Sequence, residues 1–303
     1  MSCIAIVGGG SIGLRHNKIL KDLGRETVVI TSRQDLSTLT ARNLGQAFDA
    51  HDISHVLVAN ETQKHLSTIN SLNRLGFKGN VLVEKPLAIQ EISDLSKFES
   101  VHCAFNLRFH PGIQALAEWA NTNKVLSIEA YAGQHLSTWR PGRNHKDTYS
   151  ASKQMGGGVL RDLSHELDYL CWIFGRPVGV FALGGRAGNV TIDSDDNWTI
   201  IMQTATNCTI SLQLNYFDKP GGRFIKAISE ENTFNFDFVR GSLSSVGIEQ
   251  HLEVERDFSY LQMLTSWING DYQFLSSSNQ AIEIEKLILD IELSAATKEW
   301  ISR

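Results

Sequence analysis

Residues 3–16 read Cys3-Ile4-Ala5-Ile6-Val7-Gly8-Gly9-Gly10-Ser11-Ile12-Gly13-Leu14-Arg15-His16. A five-residue apolar run empties without a linker into a G-x-G-x-x-G, so the pattern is strand, tight turn, helix. Gly8 permits the turn, Gly10 lets a pyrophosphate approach bare backbone, and Gly13 lets the helix pack on the strand. The unpaired N–H groups at the helix start then face the phosphates. An ordinary tight turn is the competing reading. Its position directly after an apolar strand favours a dinucleotide site built from Gly8, Gly10, Ser11, Ile12 and Gly13.

Outward from this turn, the first hundred residues alternate short apolar strands with helical stretches, the pattern of a doubly wound parallel sheet. Strands are expected near 3–7, 27–31, 55–60, 80–84 and 101–105. Leu66, Ile69, Leu72 and Leu75 recur at helical spacing before Gly76, which marks a crossover helix. After Phe105-Asn106-Leu107-Arg108-Phe109-His110-Pro111 and a short helix, the periodicity changes to two. Cys208, Ile210, Leu212, Leu214 and Tyr216 alternate with polar residues, as do Phe234, Phe236 and Phe238. Such strands, joined by turns, indicate an antiparallel sheet with one packed and one open face. One helix is expected around 157–174, and two more near 256–268 and 280–301. The fold class is therefore α/β: a Rossmann domain over 1–108, then an α+β domain over 109–303 with an open-faced, largely antiparallel sheet.

The 303 residues are 42% hydrophobic, enough for two cores, and carry a net charge of -5. Lysines and arginines are scattered except between Arg140 and Lys146, so a nucleic-acid partner is not expected. The four cysteines lie apart in apolar segments, which speaks against disulfides and zinc. The ten histidines show no metal-ligand spacing, and no metal is expected. No leader-like segment and no run of about eighteen apolar residues is seen, so a cytoplasmic protein without a membrane partner is expected.

Four further features follow the glycines in order: His16; Glu84-Lys85-Pro86; Arg108-Phe109-His110-Pro111; and Gly156-Gly157-Gly158 leading to Asp162, His165 and Asp168. This ensemble resembles the Gfo/Idh/MocA family over essentially the whole chain. The resemblance implies an N-terminal Rossmann domain, a C-terminal open-faced sheet often used for oligomerisation, and hydride transfer to or from a sugar, polyol or related carbon with a nicotinamide cofactor. It also implies a cis Lys85–Pro86 bond.

Lys85 ends a parallel strand, where doubly wound sheets place ligands, and its ammonium can reach a substrate hydroxyl and the ribose. A surface lysine before a loop proline is the plainer alternative. His165 stands three residues from both Asp162 and Asp168, so one helix would project all three to one side. An imidazole with pKa near 6.5 suits proton transfer coupled to hydride movement. The family aspartate commonly sits four residues before the histidine, where this chain has Arg161, so Asp162 fills that role less directly than His165 fills its own. Asp168 either orients the imidazole or pairs with an arginine. Lys85, His165 and Asp162 are thus the candidate catalytic residues.

Thr31-Ser32-Arg33 ends the second strand; serine and arginine suit the 2′-phosphate of NADP, although Asp35 nearby leaves NAD open. Asn60, Thr62 and His65 follow the third strand and are expected beside the nicotinamide ribose with Glu84 and Lys85; His65 could equally be a helix-face residue. Substrate contacts are expected from Arg108, Arg140, Arg143, Tyr149, Asp162 and His165. Arg140 and Arg143 suit phosphate or carboxylate, the alternative being a solvated loop. Tyr149-Ser150-Ala151-Ser152-Lys153 imitates the Y-x-x-x-K of short-chain dehydrogenases, whose glycine spacing differs. The expected activity is NAD(P)-dependent oxidoreduction of a sugar derivative, such as a nucleotide-linked sugar or nonulosonate precursor, by a homo-oligomer. The rival is a catalytically silent dinucleotide sensor.

Overall fold

The computed structural model describes residues 2–87, 94–139, 142, 144–188, 192–245 and 247–303. They form two compact units, one of Met1–Phe109 with Asp257–Glu285, the other of His110–Arg256 with Lys286–Arg303.

The first unit contains a seven-stranded sheet. Its strands are β1 (Cys3–Val7), β2 (Thr27–Ile30), β3 (Thr40–Ala41), β4 (Ile53–Val58), β5 (Asn80–Val83), β6 (Ser100–Cys103) and a C-terminal β15 (Ser276–Ser277). The order is β15-β6-β5-β4-β1-β2-β3, all parallel except β15. Helices α1 (Ser11–Asp22), α2 (Leu44–Ala50) and α3 (His65–Arg74) supply crossovers. The central strands are apolar on both faces, as a sheet covered on both sides requires. Five predicted strands appear within two residues of expectation. The two-residue β3 and β15 are too short to leave a period in the sequence.

Placing all of 109–303 in the second domain does not match this division. Helix α7 (Phe258–Asn269) buries Met263, Leu264 and Trp267 completely, in one apolar cluster with Ile4, Leu20, Val29 and Leu57. Ser259 accepts from the Asn106 amide at 2.7 Å, and β15 pairs with β6, so 257–285 complete the Rossmann core.

The second unit holds a nine-stranded sheet. Its strands are β7 (Val125–Gly133), β8 (Pro177–Gly185), β9 (Asn197–Thr204), β10 (Thr209–Asn215), β11 (Gly222–Ser229), β12 (Thr233–Asp237), β13 (Ser242–Ser245), β14 (Ile248–His251) and β16 (Ile301–Ser302). Their order is β14-β13-β12-β11-β7-β10-β9-β8-β16, and β7–β10 is the parallel pair among antiparallel ones. Alternation is strict: Ile210, Leu212 and Leu214 are buried while Thr209, Ser211 and Gln213 are exposed. Helix α4 (Pro111–Thr122) packs on the apolar face, where any side chain at Gly112 would collide with the Phe236 ring. Helix α8 (Ser278–Thr297) contributes residues to both units. Among the described residues no helix is long and apolar enough to cross a membrane.

The helix expected over 157–174 is broken. The structure has α5 (Val159–Asp162) and α6 (His165–Phe174), with Leu163 and Ser164 between them. Asp162 and His165 therefore belong to different helices and do not share the single helical face expected from their spacing.

Candidate active site

In the first unit, the parallel register brings the ends of β5, β4, β1 and β2 side by side, and so the segments starting at Glu84, Ala59, Gly8 and Thr31. The chain order reverses at β1, where ligands bind in doubly wound sheets. Gly8 has φ 120°, and a Cβ there would lie 2.5 Å from the Ala59 carbonyl oxygen. A Cβ at Gly13 would collide with the Gly8 carbonyl, so both glycines are required by the turn and by helix–strand packing. At Gly10 a Cβ would meet nothing within 4 Å. Gly10 is also the N-cap of α1 and provides no side-chain cap, and the first turn holds no acidic residue. Open space beside uncapped N–H groups is what a pyrophosphate needs, so Gly8, Gly10, Ser11, Ile12 and Gly13 fit a dinucleotide.

Arg33 lies against this loop. Its Nη1 donates to the Gly9 carbonyl at 2.9 Å, while Nε and Nη2 donate to the Asp35 carboxylate at 3.0 and 2.6 Å. Ser32 beside it is exposed. The hydrogen bond from the Arg33 guanidinium holds the Asp35 carboxyl below its usual range, and the same bond to Asp35 holds the guanidinium above its own, each stabilising the other's charged form.

Asn60 donates through Nδ2 to Thr68 Oγ1 at 2.9 Å. Thr62 opens a short 3-10 turn before α3. His65 is 1% exposed, with Nδ1 2.9 Å from the Pro86 carbonyl and Nε2 3.1 Å from the Asn60 carbonyl. The expectation that His65 binds cofactor is therefore corrected: the side chain is an internal strut between two loops. Burial pushes its pKa down, opposed by those carbonyls. Glu84, expected beside the nicotinamide ribose, has its Oε1 2.7 Å from Nε2 of the fully buried His16. Lys85 follows it, half-buried, with a cis bond to Pro86 as the resemblance implied. Arg108, expected to touch substrate, is 2% exposed and donates to Gln280 Oε1 at 3.0 Å and Ser276 Oγ at 3.1 Å. A guanidinium so committed ties the C-terminal segment to the Rossmann core.

In the second unit, the Gly156-Gly157-Gly158 run has a packing reason. A side chain at Gly157 would strike the Tyr149 carbonyl, and one at Gly158, where φ is 128°, would strike the Asp195 carboxylate. That carboxylate accepts the Leu160 N–H at 2.9 Å and the Trp198 indole N–H at 2.7 Å. Burial pushes Asp195 upward. Close approach of these backbones brings Tyr149 onto Asp162: the Tyr149 hydroxyl donates to Oδ1, and the Tyr216 hydroxyl donates to Oδ2 at 2.6 Å. Burial, then the Asp162 charge, drives the Tyr216 phenol well above its ordinary range and keeps it a donor.

His165 opens α6, half-buried, with Glu166 and Asp168 following in the first turn, where acidic residues complement the helix dipole. Asp168 is 1% exposed. The fully buried Glu166 receives Arg223 bidentately, Nε to Oε1 at 2.5 Å and Nη2 to Oε2 at 2.9 Å, with the guanidinium over the Phe238 ring. Arg161, at the place where the family carries aspartate, pairs with Glu292 at 2.5 Å. Arg140 and Arg143 lie outside the described residues. Tyr216, Asp195 and the Glu166–Arg223 pair were missed by sequence reading. Tyr216 is buried directly after the period-two strand β10, continues its apolar alternation in the sequence and looks like any core aromatic. Among the described residues no cluster of His, Cys, Asp or Glu could hold a metal.

Residues 113–243 match the model of the GFO/IDH/MocA C-terminal domain. No curated protein sequence matches the chain. Among solved structures it resembles a myo-inositol dehydrogenase from Corynebacterium glutamicum (19% identity, TM-score 0.77, 100% of this chain and 98% of the other). It also resembles the WlbA dehydrogenase from Bordetella pertussis in complex with NADH and UDP-GlcNAcA (16%, 0.78, 99% and 98%). A third likeness is to the UDP-N-acetylglucosamine 3-dehydrogenase GnnA from Acidithiobacillus ferrooxidans (17%, 0.77, 98% and 99%). At these identities the structural likenesses show the fold. Residues 113–243 are thus similar to the GFO/IDH/MocA C-terminal domain, and the rest of the chain shares its fold with the structures above.

Proposed function

We propose that this chain is an NAD(P)-dependent oxidoreductase that moves a hydride between nicotinamide and a carbinol or ketone carbon of a sugar derivative. One observation carries the reading: an uncapped α1 N-terminus with open space at Gly10 stands two strands from the half-buried Lys85 at the same sheet end. When bound, the dinucleotide supplies the hydride acceptor or donor. The N–H groups from Ser11 onward hold its pyrophosphate, and the Asn60–Thr62 loop flanks the nicotinamide ribose. Lys85 polarises the substrate oxygen and His165 carries its proton, while Asp162, gripped by two phenols, holds Tyr149 in place. The presence of both Lys85 and His165 argues against a silent sensor. Relatives whose names specify inositol and UDP-sugar dehydrogenation favour a sugar substrate.

The finer reading is an anionic substrate, a nucleotide-linked sugar or nonulosonate precursor, met by the Arg140–Lys146 loop. NADP is the favoured cofactor because Arg33 lies beside the glycine turn. A second copy covers the open sheet face, where Leu183 and Ile201 are 48% and 41% exposed. The test is an absorbance assay of NAD+ and NADP+ reduction with myo-inositol, UDP-GlcNAc, UDP-GlcNAcA and a wider sugar panel. Turnover is expected, falling about 10²-fold or more in His165→Asn with dinucleotide binding retained. Dinucleotide binding without turnover on any sugar would instead support the sensor.

A further inference from the structure

Lys85 stands between two residues that are each held by a buried histidine. On its N-terminal side, Glu84 Oε1 is 2.7 Å from Nε2 of His16, which is 0% exposed and comes from α1, the helix that begins at the glycine turn. The other Glu84 oxygen, Oε2, accepts the Lys85 backbone N–H at 3.3 Å. On its C-terminal side, the Pro86 carbonyl lies 2.9 Å from Nδ1 of His65, 1% exposed, the first residue of α3. The two helices belong to different crossovers, and their histidines converge on the two residues that flank Lys85 at one strand exit. A fully buried histidine is costly unless its ring nitrogens are used. Here the uses bracket the lysine.

The ring nitrogens identify which bond matters at each position. At His16, Nε2 faces the carboxylate and must donate, while Nδ1 has no hydrogen-bond partner. The edge of this ring packs on Tyr260, with centroids 5.5 Å apart, which fixes its plane. At His65 both nitrogens face carbonyl oxygens, which only accept, so a neutral ring can donate to one of them. Burial favours the neutral ring, and the shorter contact is the one from Nδ1 to Pro86.

We propose that His16 and His65 are positioning residues for Lys85: through Glu84 and Pro86 they fix the lysine's backbone from both sides, and His16 does so from the helix that seats the dinucleotide. The inference rests on the proposed role of Lys85, but it concerns placement and can be tested without turnover.

The test exploits geometry. Asparagine places an amide N–H near the position of histidine Nδ1, and glutamine near Nε2. Trace acetic anhydride labels the full chain, mass spectrometry reads Lys85 acetylation across pH, and the 73%-exposed Lys124 serves as internal reference. His16→Gln and His65→Asn keep the required donor and should leave the Lys85 profile as in the wild type. His16→Asn and His65→Gln lose it and should change the Lys85 rate about fivefold, the scale of one lost hydrogen bond, with Lys124 unchanged. A merely structural role predicts no such crossed pattern, since both exchanges at a position would act alike; that result, or four wild-type profiles, overturns the proposal. If one exchange fails to fold, the pair at the other histidine carries the same test. NADH titration of the wild type is read separately. A chain that binds no NADH defeats the oxidoreductase reading while leaving the labelling pattern interpretable.

Discussion

Tyr216→Phe removes a single oxygen from a fully buried ring, and its consequence follows from what that oxygen does. The hydroxyl donates at 2.6 Å to Oδ2 of Asp162, a side chain 6% exposed whose other oxygen is held by Tyr149. A hydrogen bond to a charged group contributes about 1.5–3 kcal/mol, and the phenylalanine ring leaves Oδ2 buried with one donor fewer. For a unit of this size each kcal/mol shifts Tm by about 2–4 °C, so the variant should melt about 3–12 °C lower. Urea unfolding followed by tryptophan fluorescence measures the cost directly. In an Asp162→Asn background the partner is neutral, and the same exchange should cost only about 0.5–1.5 kcal/mol. The difference between the two backgrounds is the coupling of the pair. A cost within about 0.5 kcal/mol in the wild type, as for an ordinary surface change, would refute the assignment of Tyr216 as the anchor of Asp162. So would equal costs in both backgrounds.

Arg33→Ala should weaken NADPH binding about tenfold and NADH binding little, read by nicotinamide fluorescence, because the Arg33–Asp35 pair is solvent-exposed, therefore weak, and yields to a phosphate. Equal losses would mean that the guanidinium only braces the Gly9 carbonyl. His110 accepts the Gly112 N–H through Nδ1 as the N-cap of α4, and burial, with Arg223 nearby, pushes its pKa down to about 4. Between pH 6.5 and 4 the unfolded chain therefore binds more protons, so this contribution is full above about pH 6.5 and is lost as pH falls toward 4, on the order of 2 kcal/mol after solvent screening. His110→Asn keeps an N-cap acceptor and should flatten that part of the pH profile of urea midpoints; an unchanged slope would remove His110 from it.

The glycine turn was legible in residues 3–13 because its constraints are local. Gly8 has a positive φ and Gly13 lies against the Gly8 carbonyl, while Gly10 opens onto free space at the start of α1. The parallel strands were legible for the same reason, since an apolar run buried on both faces writes its own length. The strictly alternating strands of the second sheet announced their packed face through a period of two.

What tertiary structure decided concerns partners distant in sequence. Trp267 and its helix return to the Rossmann core across the whole second unit, and helical periodicity says which face is apolar but not which core receives it. Arg108 looked like a ligand-binding cation until Gln280 and Ser276 arrived from 168 or more residues away. Tyr216 and Asp162 are 54 residues apart, and neither position carries a mark of the other. The break at Leu163–Ser164, which separates Asp162 from His165, also has no breaker residue to announce it. Asp195 caps α5 from a later segment, and so the helix starts where that carboxylate lies. A hydrogen bond has no sequence period, so residues matched by chemistry alone were paired only when the fold brought them together.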